Sequence, residues 1–382
     1  MEISKIVVAS DSFKGSLSSK QVADCFEKGV HSVFPHCQVV KMSVADGGEG
    51  TMEAIVDTLH GQIIELDVSD PLMRPIRAKY GIIGDKNSKE PMMAVMEMSA
   101  ASGLPLLLSS ERNPWLTSTY GTGEMIMDAL GRGCRKFLVG IGGSATNDAG
   151  IGMLSAMGYR FLSKDGRVLK PCGGTLGEIA SIDDTDVSSE VREAEFFVAC
   201  DVDTPFCGPS GAAYVFSPQK GADEVMVDKL DKGMYSFAKV INQQFNIDFV
   251  DIPGTGAAGG LGAAFHVFLN SSLKRGVDMV LDAINFDDCL DGADFVVTGE
   301  GRLDFQTAKG KTPYGVLLRA SRKNIPTIAI GGSVEVVDNL DFTSVFPIVS
   351  GPISLQEAML PEIAARNVEA TAVRIMNLVK KL

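Results

Sequence analysis

KIVVAS (residues 5–10), DSFKGS (11–16) and SSKQVADCFEKGVHSV (18–33) lie close together near the start of the chain, and their reading decides the fold. The first is a β-branched apolar run of strand length. It breaks at a loop of Asp, Ser, Lys and Gly. Ser18 with Gln21 then matches a capping box, and Val22, Phe26 and Val30 recur on one face of a helix. A second unit repeats the order: QVVKMSVA (38–45) as strand, the loop Asp46-Gly47-Gly48-Glu49-Gly50, and TMEAIVDTLH (51–60) as helix. Two strand–loop–helix units in series predict a parallel sheet, with both loops at the carboxyl ends of strands, where open α/β sheets bind ligands.

The C-terminal part has the same grammar: DFVVTGE (294–300), a helix around YGVLLRASRK (314–323), IPTIAIGGS (325–333), SVFPIVSG (344–351) and a final helix from about 355 to 380. These read as further strands of the N-terminal sheet. Between them lie the strand candidates PIRAKYGIIG, PMMAVMEMS, KFLVGIGG, EFFVAC and GAAYVFS, with GEMIMDALGRG and VMVDKLDKGMYSFAKVINQQF as helices. The expected architecture is therefore α/β: a Rossmann-like parallel-sheet domain built from both chain ends (1–64 and 291–382), with a second α/β domain inserted in the middle (65–290). No internal repeat and no low-complexity linker interrupts it.

Composition narrows the function. The chain has 382 residues, enough for two cores, and 41 glycines, which permit sharp bends and close approach of backbone to small ligands. A formal net charge of −13 argues against nucleic-acid or anionic-membrane partners, which need a basic surface. The seven cysteines (25, 37, 134, 172, 200, 207 and 289) contain no CxxC pair and read as reduced, and no stretch approaches 18 apolar residues, so a cytoplasmic protein is expected. The four histidines (31, 36, 60 and 266) have no ligand or triad spacing. A general base is then expected to be a carboxylate.

Five loops join glycine to carboxylates or lysine directly after strand-like runs: DSFKGS (11–16), DGGEG (46–50), GGSATNDAG (142–150), CDVDTP with the later QKG (200–205 and 219–221), and TGEGRLDFQTAKGK (298–311). Glycine lets backbone N–H groups converge on an anion, and carboxylates offer hard oxygens to magnesium or accept a proton. Each has a plainer reading. Gly47, Gly48 and Gly50 could be turn formers, Lys14 a solvated charge, and Ser144 or Asn147 a helix cap. GTGAAG (254–259) satisfies GxGxxG, follows the strand-like FNIDFVDIP and precedes a helix, which suggests a dinucleotide site; its small residues equally suit tight helix packing. GKT at 310–312 belongs to no P-loop, since Phe305 stands where the motif requires glycine.

DSFKGSLSS, ADGGEGT, GIGGSATNDAGIGML, ACDVDTPFCGPSGAA, SPQKGA, GTGAAGGLGAA, TGEGRLDFQT and GKTPYGV together resemble the successive signatures of class I glycerate kinases over about residues 5 to 335, although Thr204 stands where that family often has asparagine. The resemblance implies a two-domain kinase that moves the γ-phosphoryl of ATP, with Mg2+, to a hydroxyl of D-glycerate. 2-Phosphoglycerate is the favoured product and 3-phosphoglycerate the alternative. Phosphoryl transfer needs mainly alignment and charge neutralisation. On that chemistry, Gly142, Gly143, Ser144 and Asn147 are expected at the nucleotide phosphates, with Gly256, Gly259 and Gly260 as a second backbone cradle. Asp148, Glu300 or Asp304 is expected near the metal, Lys14 and Arg302 at the glycerate carboxylate, and Asp201 as the base. The rival expectations are an NAD-dependent oxidoreductase acting on a small hydroxy acid, which rests on GTGAAG alone, and a non-catalytic sensor of small acids. The sequence leaves room for a homo-oligomer without setting its size.

Overall fold

A computed structural model describes residues 3–85, 91–335 and 341–381. Among these residues the strands are β1 (Lys5–Ser10), β2 (Gln38–Ser43), β3 (Gln62–Ser69), β4 (Pro75–Ile83), β5 (Met93–Glu97), β6 (Lys136–Gly140), β7 (Arg160–Leu162), β8 (Ser181–Asp183), β9 (Glu195–Ala199), β10 (Ser271–Lys274), β11 (Phe295–Leu303), β12 (Thr327–Val334) and β13 (Ser344–Pro347). The chain divides into two compact units, the first of residues 1–46, 53–60 and 277–382, the second of 47–52 and 61–276. The α/β class with parallel sheets is as expected.

The first unit holds a five-stranded sheet in the order β13-β12-β11-β1-β2, parallel throughout. From β1 the chain steps outward to β2 on one side, while β11 to β13 step outward on the other. The strand order therefore reverses between β1 and β11, and a sheet of this kind has its ligand crevice at the carboxyl ends of that pair. The helix Ser19–Val33 carries the expected capping box at Ser18 and Gln21 and buries Val22, Phe26 and Val30. It packs on the helix Pro361–Lys381 at Gly29, where a Cβ would stand 2.5 Å from the Ala372 Cβ, so only glycine allows this approach. The expected single last helix is two, Leu355–Ala358 and Pro361–Lys381, because Pro361 cannot continue a helix but can open one.

The second unit has a six-stranded sheet, β10-β9-β6-β5-β4-β3, parallel from β10 to β5 and antiparallel at β4 and β3. The β7–β8 pair stands apart from it. Aromatic rings fill its core; Phe137 and Phe196, on neighbouring strands, stack with centroids 4.8 Å apart. GAAYVFS, expected as a strand, is the short helix Ala212–Phe216 with Ala212 and Ala213 buried. A short apolar run has no periodicity to distinguish the two states, and tertiary packing decided it. FNIDFVDIP likewise ends a helix and turns instead of forming a strand.

Candidate active site

Chemistry-bearing side chains of the first unit gather at the reversal point of its sheet. Asp11 follows β1 directly and is 6% exposed. Its N–H donates to the Gly299 carbonyl of β11 at 2.9 Å, which pins the loop between the two strands. The carboxylate accepts Ser12 N–H on Oδ1 at 2.6 Å and the Thr312 hydroxyl on Oδ2 at 3.1 Å. Burial, reinforced by the negative charge of Asp46, pushes the Asp11 carboxyl up to about 6, against the pull of Ser12, Lys14 and Thr312. The loop then doubles back, Phe13 N–H to Leu17 O at 2.8 Å, with Gly15 at φ 75°. Lys14 projects from it exposed, without a hydrogen bond or close ion pair among the described residues. The Ser16 hydroxyl is buried with no hydrogen-bond partner among the described residues.

Glu300, 7% exposed on β11, accepts the Thr307 hydroxyl on Oε1 at 2.6 Å and the Lys311 ammonium on Oε2 at 3.2 Å. Burial raises its pKa above the usual carboxylate range despite these donors. Asp304 accepts Gln306 N–H at 2.8 Å and lies 3.4 Å from Arg302 Nε. Arg302 is 62% exposed and also pairs with Glu335. Asp11, Lys14, Ser16, Asp46, Glu300, Arg302 and Lys311 are among the residues that line a cavity of about 720 Å³. Its lining also includes the apolar side chains of Ile348, Val349, Ile353, Leu355 and Met359. Leu355 is 74% exposed and Ile353 45%, so part of this apolar lining is open to solvent. The volume lies within the range of small-molecule sites, which typically combine an apolar wall with a few convergent polar groups.

In the second unit the loop after β6 presents Gly142 and Gly143 to solvent, Gly143 at φ 74°, and neither N–H is committed to an acceptor among the described residues. The side chains after them are committed inward. Ser144 accepts Lys220 Nζ at 2.8 Å, and the same ammonium donates to Thr146 O at 2.7 Å. Lys220 is 1% exposed, and burial pushes its pKa down to about 7. The sequence quoted QKG but gave Lys220 no role; it is a brace that ties the loop from beneath. Asn147, expected at the phosphates, is fully buried, accepting from Ser217 at 3.0 Å and lying 3.2 Å from the Met234 sulfur.

Two expectations are corrected here. Asp148, expected near the metal, is fully buried, and its oxygens accept Thr119 N–H at 2.8 Å, the Thr119 hydroxyl at 2.9 Å, and Gly150 and Gly152 N–H at 3.2 Å each. Fully buried and holding four donors, this carboxylate anchors the fold. The expected cradle of Gly256, Gly259 and Gly260 is packing instead. All three are buried; Gly256 N–H donates to Thr204 O at 3.0 Å and Gly260 N–H to Gly256 O at 3.2 Å. A Cβ on Gly259 would stand 2.2 Å from Thr146 O, and one on Gly260 2.9 Å from Ala149 Cα. These glycines let the helix beginning at Ala257 press against the 146–149 segment, which removes the support for a dinucleotide fingerprint. Asp201 follows β9, exposed, and accepts Gly276 N–H at 2.9 Å. Among the described residues, no cluster of three or more His, Cys, Asp or Glu side chains is arranged to hold a metal by itself.

The model of the glycerate kinase family matches residues 6–380. A glycerate kinase of Bacillus cereus is 46% identical over 375 residues, covering 97% of each chain. A glycerate 2-kinase of Escherichia coli K12 is 40% identical over 376 residues, covering 96% of this chain and 97% of that one. The crystal structure of a protein from Salmonella typhimurium LT2, provisionally named glycerate kinase 2, superposes with a TM-score of 0.91 at 40% identity and 99% coverage of both chains. No helix among the described residues is long and apolar enough to cross a membrane.

Proposed function

The chain belongs to the glycerate kinase family, and from that premise we propose that it transfers the γ-phosphoryl group of ATP to D-glycerate, at the 2-hydroxyl, yielding 2-phosphoglycerate and ADP. The observation that carries the reading is the cavity of the first unit, whose lining gathers cations, carboxylates and apolar side chains at the reversal point of a parallel sheet. A three-carbon acid can be held by the charged groups of that lining.

Lys14 is the leading grip for the glycerate carboxylate, since among the described residues it makes no hydrogen bond or close ion pair that binding would have to break. Arg302 can assist, although gripping bidentately means exchanging Glu335 and Asp304 for the substrate. The uncommitted N–H groups of Gly142 and Gly143 are proposed for nucleotide phosphate oxygens, with Ser144 and Asn147 shaping their loop from inside. Magnesium in such enzymes arrives largely through the phosphates and takes one or two carboxylates. Glu300 fits that part, because it faces the cavity and its contacts are side chains that can rearrange, whereas Asp304 keeps a backbone donor. The bound ion would neutralise charge on the transferring group. We propose a cytoplasmic placement, which the seven cysteines without a CxxC pair favour, and no nucleic-acid partner, on the ground of the net charge of −13.

Initial rates decide between this and the oxidoreductase. With D-glycerate, ATP and magnesium the protein is expected to release ADP in proportion to glycerate consumed, and with D-glycerate and NAD to form no NADH. NADH formation without ADP release would overturn the reading.

A further inference from the structure

Resting on the kinase reading above, we infer that Asp11, and not Asp201, is the catalytic proton acceptor, taking the proton of the glycerate hydroxyl as its oxygen attacks the γ-phosphorus. In that step the oxygen–phosphorus bond to glycerate forms, and the bond from the γ-phosphorus to the β–γ bridging oxygen breaks. Its electron pair leaves on ADP, and the proton held by Asp11 passes to solvent after release.

Geometry separates the two carboxylates. Asp11 lines the same cavity, within one unit, as Lys14 and Arg302, the groups proposed to hold the substrate carboxylate. A carboxylate oxygen has two acceptor sites. Each Asp11 oxygen holds one donor, Ser12 N–H or the Thr312 hydroxyl, so the group is fixed in orientation and still has capacity to accept a proton. Asp201 is exposed on its own unit and takes the backbone N–H of Gly276, an arrangement that organises a loop.

The electrostatic setting agrees. The groups that act on the Asp11 carboxyl are Asp46 after β2, Ser12 and Lys14 in its own loop, and Thr312 at the start of the helix Thr312–Arg322, while Glu300, Arg302 and Lys311 line the same cavity. Burial and Asp46 bring its carboxyl up to about 6, which leaves it ionised at neutral pH yet a better base than an ordinary aspartate. Because the folded value is raised, the carboxyl's contribution to stability is complete below the unfolded value near 3.8 and is lost as pH rises through about 6. At pH 7 the fold therefore bears the cost of a buried, ionised Asp11. A purely structural carboxylate gives no reason to maintain that cost.

The experiment uses the full chain with D-glycerate, ATP and magnesium. Turnover by the wild type comes first, and its absence sinks the kinase reading before Asp11 is in question. Given turnover, Asp11→Asn is expected to lower kcat by roughly 10²–10⁴-fold, with KM for ATP and the magnesium requirement changed by less than about two-fold. The acid limb of the wild-type rate profile, near pH 6, should be missing in the variant. Its melting temperature at pH 7 should be equal to or above that of the wild type, and Asp11→Glu should recover part of the rate. Near-normal kcat in Asp11→Asn, a large rise in its magnesium requirement, or loss of the acid limb in Asp201→Asn instead would each overturn the assignment.

Discussion

Asp148→Ala is expected to destabilise the protein by about 3–5 kcal/mol, the range for removing one member of a buried ionic network. The change strips the acceptor from Thr119 N–H, the Thr119 hydroxyl and the N–H groups of Gly150 and Gly152, all inside the fold. It also removes the negative charge that favours the buried Lys220 ammonium, so several donors lose their acceptor at once while burial pushes the Lys220 pKa lower still. Against a total of about 5–15 kcal/mol for a domain, such a loss shows as a large fall in the urea midpoint. Asp148→Asn keeps the shape but turns an amide donor toward other donors, so it should fall between the alanine variant and the wild type. If Asp148 served magnesium instead, the alanine variant would melt normally and merely require more metal. A urea midpoint equal to the wild type's would therefore restore the metal role.

Lys14→Ala is expected to raise KM for D-glycerate by roughly 10- to 150-fold while KM for ATP stays close to normal, since a charge-assisted contact contributes about 1.5–3 kcal/mol. Among the described residues Lys14 is exposed and makes no hydrogen bond or close ion pair, so its removal breaks no contact of the fold; besides the grip on glycerate it withdraws only the positive charge that pulls the Asp11 carboxyl down. Arg302→Ala should have the smaller effect of the two, because Arg302 is already engaged by Glu335 and Asp304 and is open to water. An effect of Lys14→Ala confined to ATP would move the residue to the phosphate side of the cavity.

What the sequence disclosed and what it withheld follow from the range of the interactions. The capping box at Ser18 and Gln21, the buried stripe of Val22, Phe26 and Val30, and the run of β-branched residues in β1 are local signals, and each is realised where it was read. Lys220 carries no such signal. It stands between a proline turn and a glycine, and nothing near it tells that it lies beneath Ser144, 76 residues earlier. Gly259 and Gly260 fit a phosphate-loop pattern and a close-packing pattern equally well. Only the distances to Thr146 and Ala149 separate the two. Asp11 and Asp201 both follow a strand, and a sequence shows that much of a carboxylate without showing whether it is buried beside other charges. The partner signals for Asp11, Thr312 and Asp46, are distant in the chain for the same reason.

Phosphorus NMR of a reaction of the purified protein with D-glycerate, ATP and magnesium tests the central claim most directly, because it reads reaction, acceptor and position together. The expected spectrum loses ATP, gains ADP and gains a phosphomonoester in equal amount, whose phosphorus is split into a doublet by the methine proton at carbon 2 of glycerate. A triplet from the methylene protons of carbon 3 would contradict transfer to the 2-hydroxyl. ADP with inorganic phosphate and no phosphomonoester, or ATP left intact while D-glycerate is present, would contradict the glycerate kinase account itself.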